Sequence, residues 1–215
     1  MIINDSFPKF DLPIDFIADD SITGDILNYY SNFPCKIKAG VFVLCTEGMV
    51  KATINLLEVV IRKNDFVIVL PNSFIQIHEV SSDTRISFAG FSSDFMLSGN
   101  YVEILLDSMP MILNSPVISL QDDIAGLYRN VYLLLIRAYT LPHSLENKDI
   151  IRSILAIFLQ GTKELYKRYG RKLDEPLRRE QELYRQFIQL LMAHYTSEHE
   201  VAFYAEKCGV TAAHF

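Results

Sequence analysis

The feature that most constrains this chain is a change of hydrophobic period near Phe91. Before it, apolar residues come in short runs and two-residue alternations; after it, they recur every three to four residues. Such a switch predicts an all-β unit followed by helices, an α+β chain. Met49–Leu57 alternates, with Val50, Ala52, Ile54 and Leu56 on one face and Lys51, Thr53 and Asn55 on the other. Ala39–Cys45 and Phe66–Leu70 are nearly continuous apolar runs, and Val59–Arg62, Ser73–Glu79 and Arg85–Phe91 complete the strands expected between about 14 and 91. Thr46-Glu47-Gly48, Lys63-Asn64-Asp65, Pro71-Asn72 and Ser81-Ser82-Asp83 supply turns, and Asn64 tolerates a left-handed backbone. Short strands at this spacing fold as a sandwich or a barrel.

Beyond Phe91, Ser92–Tyr101 reads as a short helix or loop opened by the cap Ser92-Ser93-Asp94. Asp122–Tyr139 places apolar residues at 124, 127, 128, 131, 134, 135 and 138, and Lys148–Tyr169 carries a stripe of Ile151, Ile154, Leu155, Phe158, Leu165, Tyr166 and Tyr169. Asp122 and Asp123 open the first and Lys167-Arg168 close the second, as the helix dipole favours. Residues 170–178, rich in Gly, Pro and charge, are the expected linker between a unit at 1–169 and one at 179–215. The second unit begins with a helix over Arg179–Tyr195. Ser197-Glu198-His199-Glu200 fits a capping box before a helix over Val201–Lys207. Gly209 stops that helix, and Thr211 is an N-cap for the next, one turn before the sequence ends at Phe215.

Composition excludes several classes. Half of the 215 residues are hydrophobic and 21% charged, which is incompatible with a disordered or low-complexity chain. The longest apolar run, Val131–Ile136, is far short of the ~20 residues that cross a bilayer, and the N-terminus lacks the basic start of a signal peptide. A cytoplasmic protein without a membrane partner is expected. The net charge of −6 argues against general attraction to nucleic acid. Bases nevertheless concentrate at 162–179, where Lys163, Lys167, Arg168, Arg171, Lys172, Arg178 and Arg179 face Glu164, Asp174 and Glu175. Cys35, Cys45 and Cys208 are odd in number and lack C-x-x-C spacing, so they read as buried hydrophobes rather than a disulfide or zinc set.

Ala205-x-x-x-Gly209-Val210-Thr211 has the ingredients of a helix-turn-helix: a small residue for close approach, a turn glycine, an apolar plug and a hydroxyl cap. With Phe187–Leu191, His194-Tyr195 and Val201–Ala205, it resembles the start of the DNA-binding domain of AraC/XylS-type transcription regulators. The resemblance implies that Thr211 and Ala213 stand at DNA-contact positions and that some 60 further residues complete the domain. This chain is therefore expected to be a regulator lacking most of that domain. Asn64-Asp65-Phe66 through Pro71 resembles a cupin segment, with Asn in place of the usual Gly. That implies a cupin-like β-barrel sensor, a small-molecule effector, a homodimer formed by the long helices and promoter DNA bound by the full-length protein. The alternative is a free-standing, metal-less cupin that binds or isomerises a small molecule.

No catalytic residue, metal or cofactor is expected. Metal cupins need three or more converging ligands, yet no His precedes His78, Ile75 stands where the last ligand falls, and Glu47 has no His beside it. Phosphate-cradling and dinucleotide motifs are absent, and no His lies near Ser92 or Ser93 to activate a serine. Phe74, Gln76 and His78 share one strand face, which either points into a ligand cavity or faces solvent. Arg62 and Arg85 either pair a carboxylate or sugar ligand or stay exposed near strand ends.

Overall fold

The structure, a computed structural model, describes residues 9–10, 12–29, 31, 33–97, 108–109, 111–140, 148–169, 179, 183, 186–187, 190–191, 194 and 197–213. Its elements are β1 (Lys9–Phe10), β2 (Phe16–Thr23), α1 (Gly24–Tyr29), β3 (Cys35–Ile37), β4 (Gly40–Glu47), β5 (Met49–Ile54), β6 (Leu57–Arg62), β7 (Asp65–Val69), β8 (Ser73–Val80) and β9 (Arg85–Phe91). After these come α2 (Ser93–Leu97), β10 (Val117–Ser119), α3 (Asp122–Thr140), α4 (Lys148–Tyr169) and α5 (Val201–Lys207). The chain is α+β. The strands form two five-stranded sheets, an outer one in the order β1-β3-β8-β5-β6 and a middle one in the order β10-β7-β4-β9-β2. They face each other as separate sheets rather than closing into the expected barrel.

The middle sheet is buried on both sides, which explains why β4 and β7 are apolar without alternation. Phe42, Leu44, Phe66, Ile68, Ala89 and Phe91 meet the helices, while Val67, Val69, Cys45 and Ile86 meet the outer sheet. Phe158 of α4 is the hub of the helical side. Its ring centroid lies 5.2 Å from Phe42, 6.3 Å from Phe66, 6.0 Å from Tyr128 and 5.2 Å from Tyr132. The outer sheet has only one buried face. Val50, Ala52 and Ile54 of β5 point inward and Lys51 points to solvent, as the alternation predicts.

Three local readings are corrected. The strand expected over Met49–Leu57 stops at Ile54, because the pairing of Ile54 with Leu57 leaves a two-residue turn. Asn55 and Leu56 both take positive φ, 46° and 70°, so Leu56 leaves the inward face and is 60% exposed. Asn55 holds the turn to β8: its N–H donates to the Phe74 carbonyl, its Oδ1 accepts from the Phe74 N–H, and its Nδ2 donates to Ser73 Oγ. In α3 the buried stripe is Ala125, Tyr128, Tyr132, Leu135 and Ala138, whereas Leu127 and Leu134 are 57% and 48% exposed. Gly161 leaves room for the buried Tyr128, since a Cβ there would lie 2.5 Å from Tyr128 Oη. Ser197 does not form a capping box. Its N–H and Oγ both donate to the His194 carbonyl, and α5 starts from an extended Glu200 without a side-chain cap.

Asn64 takes φ 68° as expected, and its N–H donates to the Cys45 carbonyl at 2.7 Å. The short strands β1 and β10 and the helix α1 were not anticipated, and residues 111–114 are helical. The 170–178 linker and most of the expected Arg179–Tyr195 helix lie outside the described residues, as do residues 98–101 of the Ser92–Tyr101 segment. Leu183, Phe187, Leu190 and Leu191 are individually helical.

Two stability effects follow. Phe158→Ala is expected to cost about 3–5 kcal/mol in urea unfolding, because it empties the centre of the aromatic layer. Leu56→Gly is expected to stabilise by roughly 0.5–1 kcal/mol, since relief of a left-handed leucine exceeds the glycine entropy cost. A destabilised Leu56→Gly protein would contradict this account of the turn.

Candidate functional site

Between the two sheets the packing is uneven. At one end Cys45, Val50, Ile61 and Ile86 are buried at 0–7% exposure. Toward the other, Val41 and Val43 of the middle sheet and Ile37, Ile75 and Ile77 of the outer sheet pack against this cluster but stay only half-buried. Phe88, directly opposite Val43 in the β4–β9 ladder, is half-buried on the same face. Strand β4 is the central strand of its sheet, so access to Val41 and Val43 does not come from a strand edge. These side chains form a half-buried apolar surface between the sheets, less fully covered than the Cys45 end.

The expected ligand residues lie elsewhere. Phe74 and Gln76 do share a face with His78, but Ile75 and Ile77 point inward between them, so that face is the outer, solvent side of the outer sheet. Lys36 Nζ stands 5.6 Å above the Phe74 ring, and His78 Nε2 is 2.7 Å from Thr53 Oγ1. A bulge explains the exposure of both His78 and Glu79: Lys51 pairs with Glu79 and Ala52 with Ile77, which leaves His78 as the extra residue. Arg62 is exposed, and Arg85 lies 3.4 Å from Glu47 on the surface. Among the described residues no three His, Cys, Asp or Glu side chains are grouped as metal ligands.

The inter-sheet residues were not picked out from the sequence, although a signal for their orientation exists. Within the apolar runs Val41-Phe42-Val43-Leu44-Cys45 and Phe66-Val67-Ile68-Val69-Leu70, larger and smaller side chains alternate. The larger ones face the helices and the smaller ones face the outer sheet.

The C-terminal candidates sit on a well-defined turn. The Val210 N–H donates to the Ala205 carbonyl and the Gly209 N–H to the Glu206 carbonyl, both at 3.0 Å, with Gly209 at φ 69°. This is a Schellman stop, which needs the left-handed residue that glycine supplies. Tyr204 and Ala205 are buried, and Tyr204 packs edge-on against Phe187 at 5.8 Å. Thr211, Ala212 and Ala213 are exposed, with Ala212 and Ala213 in a turn. The helix that Thr211 was expected to cap falls mostly outside the described residues.

No protein-family model matches this sequence, and no curated protein matches it either. Solved structures do. One is the AraC-like transcriptional activator CuxR, at 10% identity over 82% of this chain and 59% of that one, with a TM-score of 0.45. Another is ToxT from Vibrio cholerae O395 bound to (E)-4-(8-methylnaphthalen-1-yl)but-3-enoic acid, at 13% identity over 94% and 92% of the two chains and a TM-score of 0.39. A third is the Clostridium difficile EutQ protein, at 13% identity over 40% and 69%, with a TM-score of 0.27. The chain thus spans 59% of the length of CuxR. These are likenesses; the α+β fold is established by the sheets and helices themselves.

Burial, reinforced by the charge of Asp65, pushes the Cys45 thiol from its ordinary 9.0 up to about 11, against the lowering effect of its bond to the Glu47 carbonyl. A raised folded-state value stabilises the fold below the unfolded value, and that stability is lost as pH rises through the folded one. Burial shifts Tyr128, Tyr132 and Tyr166 upward as well. Stability is therefore expected to fall between pH 9 and pH 11, with about 2–3 kcal/mol of the loss due to Cys45. Urea unfolding of Cys45→Ala should show a shallower decline over that window. An unchanged slope would exclude the thiol as its source.

Proposed function

We propose that this chain is a ligand-responsive, DNA-binding transcription regulator of the AraC/XylS type and not an enzyme. Residues 1–169 form its cytoplasmic sensor and dimerisation unit, 170–178 the linker and 179–215 the DNA-binding segment. The observation that carries this reading is the α5–Gly209 turn. Its Schellman bonds end α5 and leave Thr211 and Ala213 exposed, where the sequence resemblance puts DNA contacts. Ala213 has no side-chain donor, so Thr211 supplies the polar contact to a phosphate.

The half-buried apolar surface between the sheets, with Val41, Val43, Ile75 and Ile77, is the effector site in this reading, in place of the outer face that carries Phe74, Gln76 and His78. Leu127 and Leu134 of α3 and Ile150 and Ile157 of α4 are exposed, and each pair is spaced seven residues apart. These apolar positions support a homodimer through the helical layer. Effector binding would then bias the relative placement of two DNA-binding segments on promoter DNA. The same surface would equally serve a free-standing, metal-less small-molecule-binding protein. Stoichiometric iron, manganese or zinc on the purified protein would contradict both readings and point to a metal-dependent enzyme.

The direct test is selection from a random duplex library, using the protein expressed from its complete reading frame. A discrete sequence should be enriched, and Gly209→Val, which forces a branched residue into the left-handed region, should abolish the enrichment. Absence of any enriched sequence with the unmodified protein would refute the regulator reading. In sedimentation, Leu134→Glu with Ile157→Glu should convert a dimer to a monomer; a monomeric unmodified protein would refute the dimer.

A further inference from the structure

We infer that the free edge of β6 docks a second copy of this chain, the two β6 strands pairing antiparallel about a two-fold axis at Val60. Strand β6 ends the order of the outer sheet, so only one of its edges meets a neighbouring strand. The two-residue turn makes Ile54 and Leu57 a hydrogen-bonded pair, and Ala52 with Val59 and Val50 with Ile61 follow in the same phase of the ladder. The backbone groups of Leu57, Val59 and Ile61 thus point to β5, and those of Glu58, Val60 and Arg62 point away from it. Both flanks agree with this phase: the Asn55 N–H donates to the Phe74 carbonyl of β8, and the Arg62 N–H donates to Asp65 Oδ2. Among the described residues, none hydrogen-bonds the outward backbone of Glu58 or Val60.

The side chains of this edge select a second β6 as the occupant. Glu58, Val60 and Arg62 share the outer face and are all exposed. Glu58 and Arg62 stand roughly 13 Å apart along the strand, too far to pair with each other. Among the described residues neither makes an ion pair. With Val60 opposite Val60 of a second copy, Glu58 falls opposite Arg62 of that copy, and Arg62 opposite its Glu58. Two opposite-charge pairs then flank an apolar one, which stabilises an antiparallel ladder. Val60 exchanges N–H···O bonds with its counterpart, and each Glu58 N–H reaches the carbonyl of the opposing Arg62. A slip of two residues either way sets charges against Val60 and loses both ion pairs, so charge also fixes the register. On the inner face Val59 falls opposite Ile61, continuing the apolar interior from one copy to the next. An edge of one charge sign would repel its own copy, a common protection of exposed strands, and β6 lacks it. The helices cover the opposite face of the middle sheet, so β6 pairing is independent of a dimer through the helical layer. A single edge strand buries little area, so the association is weak and forms at high protein concentration. With a second isologous surface on each chain, helical dimers would be linked side by side.

The experiment is sedimentation velocity at low salt over rising concentration, on the 215-residue chain carrying Leu134→Glu and Ile157→Glu to silence the helical layer. This protein should be monomeric when dilute and pass to a dimer as concentration rises. Adding Glu58→Arg, or instead Arg62→Glu, should raise the dissociation constant about tenfold or more, because each turns two attractive cross-strand pairs into two repulsive ones. An equimolar mixture of those two proteins should associate again, since each then meets the opposite charge. Val60→Pro, which removes an outward N–H and leaves the bonds to β5 in place, should abolish the association. Glu58 and Arg62 are exposed, so the charge reversals leave the core intact and decide the matter even if Val60→Pro folds poorly. Absence of concentration-dependent association, indifference to both reversals, or loss without recovery in the mixture would each overturn β6 pairing. The helical dimer is read separately, on the unmodified chain at low concentration.

Discussion

The rest of the structure depends on a sheet that is buried on both faces by side chains of different size. In β4 and β7, Phe42, Leu44, Phe66 and Ile68 turn to the helices, while Val41, Val43, Val67 and Val69 turn to the outer sheet. Close packing of large aromatic groups around Phe158 makes the helical side a filled layer. Valines on the other face reach less far across the roughly 10 Å that separates packed sheets. One strand sequence thus encodes a face of large, filled-in side chains and a face of smaller ones. Adding bulk on the valine face and deleting it on the aromatic face have opposite physical meanings: the first closes a site and the second opens a cavity.

The two sides are joined near the β6–β7 turn. Asn64, held in the left-handed region, donates through Nδ2 to Asp122 at the start of α3 and accepts at Oδ1 from Arg129, about two helical turns further on. Its carbonyl accepts from the Leu120 N–H. Next to it, the buried Asp65 carboxylate accepts from the Arg62 N–H and from Ser119 Oγ, which pins β10 to the same turn. The Asn64 N–H meanwhile donates to Cys45, at the closed end of the inter-sheet core. A displacement of the inner strands therefore has a short, hydrogen-bonded path to the first turn of α3. That is the physical requirement for an effector between the sheets to be felt in the helical layer.

Much of this architecture was legible in the sequence, for reasons that differ between elements. Lys148–Tyr169 and Val201–Lys207 appear at their expected bounds because long apolar periodicity, or a glycine stop, marks them locally. Arg85–Phe91 and the turn at Asn64 were equally clear. β10 and β1 were not, since two or three residues become a strand only when a neighbouring strand offers a ladder. The sequence of α3 does not say which of its apolar residues are buried, because Leu127 and Leu134 are as hydrophobic as Tyr128 and Leu135; packing decides it, with Gly161 of α4 leaving room for Tyr128. The candidate site was the least legible part. Alternation correctly put Phe74, Gln76 and His78 on one face, but which face is inward depends on the opposing sheet, which no local pattern in β8 encodes.

The most direct test of this account is methyl NMR of the isotopically labelled protein under xenon, an apolar probe that fills accessible hollows. Methyl signals of Val41, Val43, Ile75 and Ile77 should shift with xenon pressure, while those of Leu44, Ile68, Leu135 and Leu155 in the aromatic layer should not. Shifts confined to the aromatic layer, or no shift at the valines of β4, would contradict the reading that the inter-sheet side of the middle sheet admits a small apolar molecule.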